Sequence, residues 1–309
     1  MAGQTNIGLR IPSTPATDVA ALRGFVLEAE ALGFHSLWVG DHLFHPVDVY
    51  HPMLLMTWMA ALTSRVRLGT AIMLTAYRNP LFLAKEAATL DKLSGGRLTL
   101  GVSLGGTPKE YEALGVSMKE RARRLRETAL LLRLLSMGGP LTFDGEFTHF
   151  GSVVINPIPV QRPLPVLMGG AHVRALRRAG EVCDGWIGTS GAPVEEFAPK
   201  VRQVQEFARD RGRDPEKLQF GKLLSVALGQ DREEAYRMLE AHLTPYYSGR
   251  FDIERDAVFG TAEDVVRGVR AFTEVEAADL TMILEPPTLE LGHLRRLGEV
   301  VLPLQSVGG

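Results

Sequence analysis

Eight short β-type runs, each followed by helical material, constrain this chain more than any other feature. Residues 6–9, 36–39, 66–69, 97–102, 165–168, 185–187, 218–227 and 279–284 read as strands, several of them apolar throughout. The first helical run is typical of those between. Asp18 is a cap, Val19, Leu22, Val26 and Ala29 follow near helical spacing, and Gly33 stands where the helix would stop. Such alternation predicts an α/β protein with a parallel sheet, and eight units favour a closed (β/α)8 TIM barrel over an open doubly wound sheet. Residues 137–160 break the rhythm with Gly138-Gly139-Pro140 and Asp144-Gly145, which predicts an insertion after the fourth β/α unit containing a small hairpin.

Length alone, 309 residues, would suggest two domains, but barrels fit this many into one. The expectation is one domain over residues 1–309, with an insertion at about 137–160 and any disordered tail confined to Val307, Gly308 and Gly309. Net charge is −2 and no long basic run occurs, so neither nucleic acid nor a membrane surface is an expected partner. Cys183 is the only cysteine, which excludes an intrachain disulfide and fits a reducing compartment. The first ten residues lack an apolar signal core, and the apolar run at 53–62 is too short to span a bilayer. A soluble cytoplasmic protein is expected.

The second strand delivers Asp41 and His42 directly after Gly40. Titratable side chains at the C-terminal end of a barrel strand are where such folds build active sites. The alternative is a helix cap and a surface histidine. Three glycine clusters also follow strands: 101–106, which includes Ser103, Gly105 and Gly106; Gly169-Gly170; and Gly188-Thr189-Ser190-Gly191. Glycine lets backbone approach a ligand, and free N–H groups at a helix start favour phosphate, so three clusters on one barrel face point to a phosphorylated cofactor. No GxGxxG opens the chain, and no P-loop occurs. His42, His45 and His51 lack a metal-binding signature and no cluster answers them later, so no metal site is expected. Met53, Met56, Trp58, Met73 and Tyr77 fit either a pocket or ordinary core.

Four segments, 31–42 (ALGFHSLWVGDH), 66–80 (VRLGTAIMLTAYRNP), 83–102 (LAKEAATLDKLSGGRLTLGV) and 179–191 (AGEVCDGWIGTSG), resemble the bacterial luciferase-like superfamily of flavin- and deazaflavin-dependent oxidoreductases. The resemblance covers about residues 7–302 and implies a (β/α)8 barrel with an insertion. Asp41-His42 and Gly188–Gly191 look like the branch that uses coenzyme F420, with FMN the alternative. The resemblance implies that the deazaflavin ring lies over the barrel mouth, backed by a bulge with a non-prolyl cis peptide between Ala71 and Ile72. It implies phosphate on the amides of Gly169, Gly170 and Gly188, with Ser103, Gly105, Gly106 and Thr189 nearby. His42 would donate a proton or orient the substrate, and Asp41 would lie near the ring's polar edge. Gly106 stands where sugar-phosphate dehydrogenase members carry a glutamate, and Glu110 comes later, which leaves the small-molecule substrate open. The implied function is hydride transfer between F420 and that substrate. The alternatives are an FMN-dependent monooxygenase using O2 and a non-catalytic flavin carrier. A homodimer is also implied, with the 53–62 helix as a candidate interface.

Overall fold

A computed structural model describes residues 3–14 and 16–306, so the expected tail at Val307, Gly308 and Gly309 lies outside the described residues. In chain order the elements are β1 Gln4–Arg10, α1 Val19–Leu32, β2 Ser36–Val39, α2 Pro52–Leu62, β3 Arg67–Leu74, α3 Pro80–Ser94, β4 Leu98–Ser103, α4 Pro108–Ala113, α5 Arg121–Ser136, β5 Leu141–Asp144, β6 His149–Val153, β7 Val166–Gly169, α6 Val173–Val182, β8 Gly185–Gly188, α7 Val194–Arg209, β9 Gln219–Leu228, α8 Arg232–Tyr247, α9 Ile253–Asp256, β10 Val258–Gly260, α10 Ala262–Thr273, β11 Asp279–Glu285 and α11 Leu291–Val301.

Eight of these strands run parallel in the order β1-β2-β3-β4-β7-β8-β9-β11. The sheet closes because β9 pairs with both β8 and β11, Gln219 facing Gly185 and Asp279, while β11 pairs back to β1. The eight strands expected from the sequence are these eight, so the fold is the TIM barrel. β10 adds to the outer end of β9 without joining the ring. The insertion holds the expected hairpin, β5 against β6, antiparallel.

Each helix buries one stripe against the sheet. In α1 that stripe is Leu22, Phe25, Val26 and Ala29, with the Asp18 carboxylate accepting the Ala20 N–H and Gly33 ending the helix in a left-handed conformation. Emptying such a position, for example Phe25→Ala, costs about 3–5 kcal/mol in lost burial and cavity. The barrel interior is a separate plug of Trp38, Ala71, Leu167, Ile187, Leu223 and Ile283, with the Trp38 indole donating to Ser36 Oγ at 2.8 Å.

Three elements have no counterpart in the sequence reading: α4, α9 and β10, each six residues or fewer. Helix α8 runs through Pro245 to Tyr247. Proline removes one N–H, but in the last turn this forfeits a single bond, and Ser248, at φ 54°, provides the stop. Among the described residues no helix is long and apolar enough to cross a membrane.

Candidate functional site

At the C-terminal mouth, β2 ends at Val39, and Gly40, Asp41 and His42 follow. Asp41 is 5% exposed and its carboxylate is fully engaged. Oδ2 accepts from the Leu74 N–H at 2.9 Å, and Arg78 Nη2 donates to both oxygens at 2.9 and 2.8 Å. Arg78 Nε also donates to the Leu74 carbonyl at 3.1 Å. Asp41 thus braces the exit of β3 as well as lining the cavity beside it.

His42 meets a carboxylate that the sequence did not place there. Glu110, in the first turn of α4, is 0% exposed, and its Oε1 lies 3.6 Å from His42 Nδ1. The same oxygen accepts from the amides of Leu43 at 2.8 Å and Phe44 at 3.2 Å, so Glu110 fixes the backbone that carries His42. Gly106 carries no carboxylate, yet a glutamate reaches the site from one helical turn further on. His45 stacks near His42, ring centroids 4.8 Å apart, and His51 pairs with Arg78 Nη1 at 3.1 Å. Among the described residues no three His, Cys, Asp or Glu converge as metal ligands.

A cavity of about 310 Å³ opens beside these groups, lined by Arg10, Asp41, His42, Ala71, Ile72, Leu74, Ile187, Gly188, Thr189, Ser190, Leu223, Tyr246 and Tyr247. The Ala71–Ile72 peptide on its wall is cis, at the bond the family resemblance indicates, and β3 slips register against β4 between Thr70 and Met73. Arg10, at the end of β1, pairs with Glu285, at the end of β11, and both are buried. Burial disfavours both charges, but each stabilises the other: Arg10 is held above its usual pKa and Glu285 down at about 2. His242 Nε2 adds a contact to Glu285 at 3.4 Å. Behind the β8 loop, buried Lys222 donates to the carbonyls of Thr189 at 2.6 Å and Ser190 at 3.2 Å. Burial pushes its pKa down to about 7 against the pull of Asp256.

A second cavity, about 600 Å³, has a different character. Ser103, Gly169 and Gly170 line it together with Lys119, Arg121, His172, Arg174 and Arg178. Nε of Arg178 is buried there without a hydrogen bond. Helix α6 starts at this cavity, where the His172 ring already accepts the Arg174 N–H at 3.2 Å. The two cavities have no lining residue in common but meet where Ile72, on the wall of the first, packs against Gly169, on the wall of the second. A Cβ on Gly169 would collide with Cδ1 of Ile72, so glycine is required for Ile72 to stand between them.

The residues expected to bind cofactor therefore divide. Asp41, His42, Ala71, Ile72, Gly188 and Thr189 share the apolar cavity; Ser103, Gly169 and Gly170 share the basic one. Gly188, expected at the phosphate, stands apart from the basic cluster. Gly105 and Gly106 line neither cavity. Arg10, Glu110, Lys222 and Tyr246 were missed. Arg10 and Glu285 carried a usable signal, since both are polar residues ending a barrel strand.

Residues 5–275 match the luciferase-like monooxygenase family. The chain belongs to that family. Within it, the chain is 32% identical over 228 residues to an F420-dependent glucose-6-phosphate dehydrogenase of Kineococcus radiotolerans, covering 69% of this chain and 65% of that protein, just under two thirds. It is 28% identical over 225 residues to a 5,10-methylenetetrahydromethanopterin reductase of Methanolobus tindarius, covering 73% of this chain and 66% of that one. Among solved structures it is similar to the monooxygenase RslO1 of Streptomyces bottropensis, with a TM-score of 0.85 at 26% identity over 97% of this chain and 99% of that one. An F420-dependent secondary alcohol dehydrogenase shares the luciferase-like fold with a TM-score of 0.86 at 19% identity, covering 98% of this chain and all of the other.

Proposed function

We propose that this luciferase-like protein is a cytoplasmic oxidoreductase that binds coenzyme F420 and transfers hydride between it and a small organic substrate. The observation that carries the reading is the pairing of an apolar cavity and a basic cavity across Ile72 at one barrel mouth. A planar apolar ring on a phosphorylated, acidic tail has that shape and charge. F420 bears a phosphodiester and a carboxylate tail, and Lys119, Arg121, Arg174 and Arg178 offer cations for both. Likeness to F420-dependent relatives supports the same choice.

When bound, the deazaflavin supplies or accepts hydride in a two-electron step. The chain has one proton to manage, and His42, on the wall of the apolar cavity, is the group to do it, as a general acid or base. Glu110 sets the position of His42 through the Leu43 and Phe44 amides. Asp41 holds the β3 exit, where Ala71 and Ile72 would back the ring. Leu74, Ile187 and Leu223 keep water from the reacting carbon.

A monooxygenase using FMN and O2 is the second reading, and the likeness to RslO1 favours it. Fluorescence titration separates the two. F420 is expected to bind at least tenfold tighter than FMN, a difference of about 1.4 kcal/mol. Equal or reversed affinities sink the deazaflavin reading, and binding of F420 without turnover on any substrate leaves a carrier. The proposal includes a homodimer through α2 and α3, whose Leu54 and Phe82 are each 72% exposed.

A further inference from the structure

Arg10 is 2% exposed and lines the apolar cavity with His42 and Tyr246. Its Nη1 is engaged by Glu285, and its Nη2 donates to the Tyr246 hydroxyl at 2.8 Å. A guanidinium has five N–H donors, and here Nε has no partner. The Tyr246 oxygen accepts from Arg10, so its own hydrogen is free to be donated. The two side chains therefore offer donors to the cavity, while the carboxylate behind them, Glu285, does not line it.

The arrangement depends on Gly40. A Cβ there would lie 2.5 Å from Arg10 Nη2, so only glycine at this position lets the guanidinium sit against the Asp41-His42 turn.

Charge decides what such a site accepts. Arg10 is the one arginine or lysine among the described residues lining this cavity, and Glu285 already matches its charge. Lys222 is turned to the Thr189 and Ser190 carbonyls. An incoming carboxylate or phosphate would meet a neutral pair with a second carboxylate directly behind it. An uncharged oxygen needs only the donors.

We propose that Arg10 and Tyr246 hold the oxygen of an uncharged carbonyl or hydroxyl group on the substrate, and that Glu285 makes the cavity select against anions. This rests on the hydride-transfer reading above and deepens it. In reduction, the carbonyl carbon takes hydride from the reduced deazaflavin, the C=O π pair moves onto oxygen, and that oxygen takes one proton from His42. In oxidation, the alcohol carbon returns hydride to the oxidised deazaflavin, the O–H pair forms the C=O π bond and the proton passes to His42. Charge that grows on the oxygen between these states is what preorganised donors stabilise. Anionic sugar phosphates fall outside this class.

The test uses the full chain, with and without F420, and two probes of one carbon skeleton: isobutyramide, which is neutral, and isobutyrate, which is charged. Affinities come from calorimetry, with thermal melts confirming that each variant is folded. The amide is expected to bind at least tenfold tighter than the carboxylate. Tyr246→Phe, which removes one hydroxyl, is expected to weaken the amide about fivefold to tenfold. Gly40→Ala, which displaces Nη2, is expected to do the same. Arg10→Met with Glu285→Leu removes both charges together and is expected to abolish the preference. Isobutyrate binding as tightly as isobutyramide overturns the proposal. So does isobutyramide failing to bind either form, or binding to Tyr246→Phe with unchanged affinity. Measurements without cofactor stay readable if F420 does not bind. F420 binding with no amide preference overturns the oxygen site alone.

Discussion

Oε1 of Glu110 lies 3.6 Å from Nδ1 of His42 while accepting the amides of the two residues that follow it. One buried carboxylate thus fixes the backbone that follows the proposed proton-transfer group and lies beside its ring, beyond hydrogen-bond distance. His42→Ala is expected to lower kcat about 10²–10⁴-fold with cofactor affinity nearly unchanged. Glu110→Gln keeps the side chain's shape and is expected to cost less. Steady-state kinetics with an accepted substrate and F420 titration of both variants check this; near-normal turnover by His42→Ala removes it from the chemistry.

The basic cavity yields a prediction about the cofactor's tail. Arg174 and Arg178 line it and Arg178 Nε has no internal partner. Replacing both by Gln is expected to weaken F420 by about tenfold or more, and FMN by less, because FMN carries less charge to lose. Titrations at low and high salt read the difference, and equal losses for the two cofactors would count against the tail's placement.

Lys222 has its ammonium on two loop carbonyls instead of on a carboxylate. Lys222→Met keeps the packing between Phe197 and Phe272 but releases the loop. Cofactor affinity is expected to fall about threefold to tenfold, with the melting temperature little changed, because a buried charge is removed along with its bonds. Paired melts and titrations test it, and unchanged affinity would remove the loop-holding role.

Acid should destabilise the fold in a definite window. Burial, helped by Arg67, lowers the pKa of His35 from 6.5 to about 4. The unfolded chain therefore binds this proton more readily than the folded one. The stability associated with neutral His35 is complete above about pH 6.5 and is lost as the pH falls toward about 4. Glu30, whose carboxylate accepts the amides of Ser64, Arg65 and Val66, is held at about 2 despite the opposing effect of burial, and extends the loss from about pH 4.5 downward. Urea melts of His35→Gln should show a flatter limb between about pH 6.5 and 4; an unchanged slope would contradict the assignment.

Leu54→Glu with Phe82→Glu is expected to convert a dimer to a monomer in light scattering. A wild-type chain that is already monomeric disposes of the proposed interface.

The barrel was legible because its strands are apolar runs between capped amphipathic helices, a pattern that survives without any long-range information. Asp41, His42 and the Ala71–Ile72 wall were legible for a narrower reason, their place in recognisable segments. Glu110 was not, because its approach to His42 depends on α4, a six-residue helix too short to show a period. Arg10 and Glu285 are 275 positions apart, and nothing local marks them as partners. Tyr246 escaped because it lies in the last turn of α8, where no motif marks it.

The Arg10–Glu285 pair joins the first barrel strand to the last, which are neighbours only in the closed ring. A ribosome makes Arg10 almost at once and Glu285 near the end. Until then the growing chain contains Asp41, His42 and every glycine loop of the mouth, but its guanidinium has no counter-charge. Completion of the site is thereby tied to completion of the chain, and a fragment ending before β11 lacks the carboxylate that neutralises Arg10.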